Sequence, residues 1–226
     1  MRFLLLGAGK TGSLVAEVAC DRYHTVELVR SAENPHGSAL TSERLRGIDA
    51  VIDFTTPDAV MANITACVTA GKPMAVGTTG WYDHLPAVRA LVEKSGTGFI
   101  FGANFSVGVN LLLEVARTAS AATRHGYSGQ IFERHHTQKK DAPSGTAIAI
   151  QNAIRDTCGQ ELEITSFREG EVVGMHEVIL DSPHDRIYLC HDAKSRRGFA
   201  EGAVRAAEWI ASKKGFFDFK DVWREV

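Results

Sequence analysis

The stretch FLLLGAGKTGSLVAEVACDRY, residues 3–23, decides how the rest of the chain is read. Phe3 to Leu6 is a short, wholly apolar run suited to a buried strand, and residues 13–23 carry apolar side chains at helical spacing. Between them GAGKTG fits G-x-G-x-x-G. In that context Gly7 permits a tight turn, Gly9 lets the backbone approach a pyrophosphate, and Gly12 lets helix and strand pack closely. Gly7, Ala8, Gly9, Lys10, Thr11 and Gly12 are therefore the expected cradle of a dinucleotide, with the positive end of the helix facing its phosphates. A strand-to-helix turn without a ligand has the same spacing, and only the pattern downstream separates the two readings. The loop is not a P-loop, because Lys10 lies inside the glycines and no GK[ST] follows.

Downstream the pattern repeats. Residues 24–29, 50–54, 73–77 and 98–103 read as four further strands, most of them almost wholly apolar. A helix starts at Thr56–Pro57 and runs to about Ala70, with Gly71 as its stop, and another covers about Pro86 to Ser95. Residues 31–47 are polar and irregular, with room for a short helix. Apolar strands alternating with helices specify a parallel sheet covered on both faces, an α/β fold of the Rossmann-type doubly wound kind. After residue 104 the grammar changes. A long helix over about 108–124 leads to the strand YSGQIFER, a charged loop, and a helix from Thr146 to about Thr157. ELEITSF, VGMHEVILD and DRIYLCH follow with little helix between them, so they are expected to pair antiparallel. The expectation is a dinucleotide-binding domain over 1–103 and a smaller α+β substrate-binding and oligomerisation domain over 104–195. Residues 196–226, an amphipathic helix followed by FFDFKDVW, are expected to dock back on the first domain.

The residue after the second strand selects the dinucleotide. An acid there would bind the ribose 2′-hydroxyl of NAD, and an arginine accommodates the NADP phosphate. The strand ends Glu27-Leu28-Val29-Arg30-Ser31, so Arg30 favours the phosphate, although it reads equally well as a solvated strand end. GTTG (Gly77, Thr78, Thr79, Gly80) and GANFS (Gly102, Ala103, Asn104, Phe105, Ser106) follow the fourth and fifth strands. These are carboxyl ends, where a doubly wound sheet binds its ligand.

The densest chemistry is QIFERHHTQKKDAPSGTA, residues 130–147. Two histidines, two lysines and a helix start at Ser144, Gly145 and Thr146 fall within a dozen residues. The unpaired N–H groups of that helix start form an anion site. Lys139 or Lys140 adds a full charge, and His135 or His136 is the candidate proton donor. The assembly suits a carboxylated substrate that must be protonated; the plain alternative is a solvated charged loop. No metal is expected, since neighbouring histidines diverge and no further ligands stand at helical spacing.

Composition narrows the classes. Twenty-five basic against 27 acidic side chains leave a net charge of −2, which excludes a chain organised around nucleic acid or an anionic membrane. Cys20, Cys67, Cys158 and Cys190 are spread singly, so reduced thiols are expected. The amino-terminal apolar run is too short for an export signal, and no stretch approaches the roughly 20 apolar residues of a membrane span. A cytoplasmic protein is expected.

The run ERHHTQKKDAPSGTA closely resembles the signature of the 4-hydroxy-tetrahydrodipicolinate (dihydrodipicolinate) reductase family of lysine and diaminopimelate biosynthesis. The resemblance extends through the glycine loop, IDFTTPDAV, VGTTGW, ANFSVGVN, GMHEV, SRRGFAEGAVRAAEWI and GFFDFKDVW. It implies an NADPH- or NADH-dependent oxidoreductase acting on a small dicarboxylate, and a homotetramer built on the sheet of the second domain. It further implies His135 as the catalytic histidine and Lys139 as the proton-donating lysine. His136, Ser144, Gly145, Thr146 and Arg196 become the substrate contacts; the glycine loop, Gly77 to Thr79 and Ala103 to Ser106 become the cofactor contacts. Three features depart from the family pattern: GAGKTG in place of its usual loop, Gln130 in place of an acid, and a short segment between ITSF and GEVVGMH. A dehydrogenase of an amino acid or semialdehyde, and a nucleotide-sensing protein without turnover, are the competing readings.

Overall fold

The computed structural model describes all 226 residues and divides into two units, one formed by Met1–Ser106 with Arg197–Val226 and the other by Val107–Arg196. In the first unit the apolar runs become β1 (Arg2–Leu6), β2 (Thr25–Val29), β3 (Ala50–Asp53), β4 (Met74–Val76) and β5 (Gly98–Phe101). All pair in parallel. Between them lie α1 (Lys10–Asp21), α2 (Pro57–Thr69) and α3 (Leu85–Ser95). Strand alternation sends Leu4 and Leu6 to one face, where Val60 and Ile64 of α2 and Val88 and Val92 of α3 cover them. Phe3 and Leu5 go to the other face, where they meet Val15 and Val18 of α1 and Ala203, Ala207 and Ile210 of α6 (Arg197–Ile210). Each fully buried aliphatic side chain contributes about 1.5–3 kcal/mol, so both layers are needed to hold the sheet.

Residues 31–47 are irregular as expected, with two single 3₁₀ turns, Ser31–Glu33 and Pro35–Gly37, as their short helical pieces. The segment after α6 supplies a sixth strand, β10 (Gly215–Asp218), parallel to β5, which gives the order β10-β5-β4-β3-β1-β2.

The second unit carries α4 (Val107–Ala119), which passes into a 3₁₀ turn over Ser120–His125 and so ends earlier than its apolar pattern suggests. Then come β6 (Ser128–His135), α5 (Gly145–Cys158), β7 (Glu163–Arg168), β8 (Met175–Asp181) and β9 (Arg186–Asp192). The expected run of antiparallel pairs holds for β8 with β9 but fails for β7. The order is β7-β6-β8-β9, with β7 parallel to β6 and β8 antiparallel to it. Helix α5 carries the chain across the sheet, so β7 lands on the far edge of β6 instead of beside β8. Ile131, Val178 and Leu180 face α4 and α5 and close this core with Ile150 and Ile154.

Candidate functional site

In the first unit the chain moves from β1 outward to β2 and returns to place β3 on the other side of β1, so the strand order reverses there. A doubly wound sheet binds its ligand at such a reversal. A groove of about 250 Å³ lies at it, lined by Gly9 to Gly12 after β1, Phe54 and Thr55 after β3, and Gly77 to Thr79 after β4. The glycines divide the work. Gly7 has φ +97°, and a Cβ there would stand 2.1 Å from the Phe54 carbonyl oxygen. A Cβ on Gly12 would stand 2.1 Å from the Gly7 oxygen. Gly9, the N-cap of α1, has ordinary φ of −71° and nothing within 4 Å of its Cβ position. A side chain at Gly9 would therefore fill the groove without disturbing the fold, which fits a surface kept bare for a pyrophosphate.

A carboxylate anchors the far wall. Asp53 is fully buried at the end of β3; its Oδ1 accepts from Thr78 Oγ1 (2.6 Å), Thr55 Oγ1 (2.7 Å) and the Thr55 N–H (3.0 Å). Burial pushes this carboxyl up, against the pull of Thr78, Thr55 and Asn63. Asp53 Oδ2 accepts from Asn63 Nδ2 (2.8 Å), Asn63 Oδ1 from Asn34 Nδ2 (2.8 Å), and Asn34 Oδ1 from the Ala39 N–H (3.0 Å). The Ala39 N–H fixes the direction of every amide in that chain, so the acceptor at its end cannot be exchanged for a donor. Asp53→Asn leaves two donors facing each other whichever way the amides turn. A loss of about 1–3 kcal/mol in urea unfolding is expected, together with a raised KM for nucleotide through the loosened Thr78 loop.

Arg30 and Ala103 to Ser106, the other expected cofactor residues, are not part of the lining of this groove. Arg30 is exposed after β2, 3.7 Å from Glu33, whose carboxylate accepts the Arg30 N–H at 2.9 Å. Glu27 lies in mid-strand and is held by Arg44 (2.8 Å) and Arg2 (3.1 Å), so it takes no part at the strand end. Ala103 to Ser106 follow β5 and do not line the groove; Asn104 Oδ1 accepts the Ser106 N–H at 2.8 Å and shapes the turn.

In the second unit β6 runs one residue further than its apolar pattern suggests, and that residue is His135. Ile131, Glu133 and His135 then share the face toward the helices, while His136 leaves the strand in another direction. His136 Nε2 accepts from Arg196 at 3.1 Å. The Lys139 N–H donates to the His136 carbonyl (3.1 Å), and Lys139 Nζ donates to both oxygens of Asp141 (2.8 and 2.9 Å). That ammonium holds the Asp141 carboxyl below its usual range. Lys140 is exposed. Ser144 is buried at the N-cap of α5, where its Oγ accepts the Ala147 N–H (3.2 Å) and contacts His176 Nε2 (3.1 Å). Gly145 and Thr146 open the helix behind it. The expected substrate residues of the charged run are thus gathered at one end of the sheet, with Arg196 among them.

Four side chains not expected as site residues complete the arrangement. Glu133, fully buried, receives His135 Nδ1 on one oxygen and Arg168 on the other at 2.8 Å. Arg168 also donates to the Asp141 carbonyl (2.5 Å). His176 packs its ring against His135, centroids 5.2 Å apart. Burial, then His135, push His176 down to about 4, so it is neutral near pH 7. Glu133, His135 and His176 each offer a ligating atom within 4.8 Å of the others. Arg168 already supplies the cation that Glu133 needs. A strand spacing of two between Glu133 and His135 could have revealed that pair from sequence; Arg168, Asp141 and His176 depend on register and loop path.

The chain matches the family models described as dihydrodipicolinate reductase, N-terminus, over residues 1–105 and dihydrodipicolinate reductase, C-terminus, over 108–223. It is 36% identical over 240 residues to a 4-hydroxy-tetrahydrodipicolinate reductase of Christiangramia forsetii, covering 100% of this chain and 99% of that one. It is 39% identical over 200 residues to the corresponding reductase of Chromobacterium violaceum, covering 79% and 74%. Among solved structures, the dipicolinate-bound dihydrodipicolinate reductase from Paenisporosarcina sp. TG-14 superposes with a TM-score of 0.83 over 98% of this chain and 99% of that one, at 21% identity. Aspartate dehydrogenase from Thermotoga maritima shares the fold more distantly, with a TM-score of 0.52 at 12% identity over 94% of this chain and 97% of that one. The glycine loop, the two-unit fold and the charged run on β6 thus occur together in a chain that belongs to the dihydrodipicolinate reductase family.

Proposed function

We propose that this chain reduces 4-hydroxy-tetrahydrodipicolinate to tetrahydrodipicolinate, with the reaction centred on the charged run of its second unit. It is an oxidoreductase of lysine and diaminopimelate biosynthesis and uses NADH or NADPH. The observation that carries the assignment of residues is the gathering of His135, His136, Lys139, Arg196 and the start of α5 at one end of one sheet.

The reduced nicotinamide, when bound, supplies the hydride. Gly7 to Gly12 and the start of α1 hold its pyrophosphate, Gly77 to Thr79 and Ala103 to Ser106 hold the ribose and carboxamide end, and Arg30 meets a 2′-phosphate. His136, Arg196 and the N–H groups at Ser144, Gly145 and Thr146 bind the substrate carboxylates. The 4-hydroxyl leaves as water to give the dihydro ring, and that ring, once it has gained hydride, must also gain a proton, which Lys139 gives. Lys139 has three N–H donors, and its hold on the exposed Asp141 is exchanged for the substrate without opening the core. His135 orients the substrate through Nε2, the nitrogen not engaged by Glu133.

The chain works in the cytoplasm as a homotetramer. The face of the second sheet turned away from α4 and α5 supports self-association: Phe132 stacks on Phe167 at 6.4 Å, and Phe167 and Tyr188 are exposed.

Parallel assays with NADH and NADPH on freshly prepared substrate test the cofactor half. Arg30→Ala is expected to raise the KM for NADPH about tenfold and leave that for NADH within about twofold, as loss of one exposed charge-assisted bond to phosphate requires. An equal effect on both nucleotides removes Arg30 from the phosphate site.

A further inference from the structure

Glu133 lies one strand step inside His135 on the same face of β6, and the geometry of the pair is more specific than an ion pair needed only for packing. Parallel pairing puts Ser166 of β7 opposite Glu133 and Arg168 opposite His135. Antiparallel pairing puts His176 of β8 opposite Glu133, and His191 of β9 opposite His176. One polar row therefore crosses four strands on the face toward the helices. Within it one Glu133 oxygen is hydrogen-bonded to His135 Nδ1, and the other forms an ion pair with Arg168 at 2.8 Å. Burial works to raise this carboxyl, but Arg168, Ser166 and His135 together outweigh it and hold it below the usual carboxylate range.

An ionised carboxylate can only accept, so the proton of neutral His135 must sit on Nδ1. Nε2 is left with its lone pair. It lies beside Gly174, where a Cβ would come within 3.0 Å of it, so glycine at that position keeps the nitrogen accessible. The groups facing His135 are Glu133 on its own strand, Arg168 from β7, His176 from β8 and Lys139 from the following loop, with His191 beyond His176 and Asp141 between Lys139 and Arg168. Burial lowers the proton affinity of His135, Glu133 pulls it back, and Lys139 and Arg168 lower it further. His176, itself neutral, donates no competing charge near pH 7.

The geometry points to Glu133 as a positioning residue for the reduction: clamped by Arg168, it fixes the Nδ1–H tautomer of His135 and so presents Nε2 as a hydrogen-bond acceptor. This rests on the assignment of His135 to the reaction. Neutral His135 is then the working form, and activity falls in acid as the imidazole takes up its second proton.

Two variants move that event in opposite directions. Glu133→Gln removes the partner that favours the imidazolium, so His135 titrates about one pH unit lower and the acid limb of kcat/KM follows it. Arg168→Gln removes a neighbouring cation, so the pair binds its proton at higher pH and the limb moves up. The tautomer is read separately by long-range ¹⁵N–¹H correlation on the ¹⁵N-histidine-labelled full chain without substrate. Wild type is expected to show Nδ1–H with unprotonated Nε2, and Glu133→Gln a mixture of tautomers. Unchanged tautomer and titration in both variants overturn the proposal. A shifted titration with an unmoved kinetic limb overturns it too, by removing His135 from the reaction. Uniform loss of kcat at every pH, without opposite shifts, reduces Glu133 to a structural role. If Glu133→Gln does not fold, the upward shift in Arg168→Gln alone decides.

Discussion

Lys139→Ala is expected to lower kcat by about 10²–10⁴-fold, the range for loss of a positioned proton donor, while leaving the KM for nucleotide within about twofold. The separation follows from where the side chain sits. Its Nζ bonds only Asp141, at 2.8 and 2.9 Å, and Asp141 is largely exposed, so removing the ammonium orphans no buried group. Unfolding should therefore shift by no more than about 0.5 kcal/mol. Lys139→Arg keeps the charge but replaces a compact, rotatable ammonium by a planar group of much higher pKa. It should retain substrate binding better than turnover. Steady-state kinetics with both substrates varied distinguish these effects, and wild-type turnover in Lys139→Ala would remove Lys139 from the chemistry.

The glycine loop gives a second large effect, and one that divides neatly between two positions. Gly9→Ala puts a methyl group into open space at an ordinary φ of −71°. The fold should be untouched, with equal urea midpoints, while the KM for NADH and NADPH rises tenfold or more, about 1.4 kcal/mol of binding. Gly7→Ala meets a positive φ of +97° and a Phe54 carbonyl oxygen only 2.1 Å from the new methyl. The dihedral alone costs about 1–3 kcal/mol, and the collision displaces the β3–α2 loop that carries Thr55. Both stability and nucleotide binding should fall. Wild-type nucleotide affinity in Gly9→Ala would contradict a pyrophosphate at this loop.

How far the sequence could be read depended on the range of the interaction that decides each element. GAGKTG was legible because strand, turn and helix are contiguous, and the topology needs no distant partner. The row of apolar strands from β1 to β5 was legible for the same reason. By contrast, β10 pairs with β5 across more than a hundred residues, and four residues with three of them apolar or glycine carry no periodicity of their own. The β7 error was one of adjacency. Sequence order suggests that consecutive strands are neighbours, whereas α5 lifts the chain over β6. That misplacement also hid Arg168, which reaches Glu133 only because β7 lies parallel to β6 with His135 opposite Arg168. In the charged run, His135, His136, Lys139 and Ser144 stood out by type and spacing. Glu133 did not, because a strand ending at Arg134 leaves His135 in a loop with no shared face. One further residue of strand brings the pair together.

The central claim is a reduction of 4-hydroxy-tetrahydrodipicolinate by a nicotinamide nucleotide at this charged run. Its most direct test is the loss of NADPH absorbance when freshly prepared substrate is added to the purified chain, with Lys139→Ala in parallel and an amino acid and a semialdehyde as control substrates. Rapid oxidation with the cyclic dicarboxylate alone, nearly abolished in Lys139→Ala, is the predicted result. Oxidation driven by a control substrate instead, or no oxidation by a folded wild-type chain that binds NADPH, would contradict it.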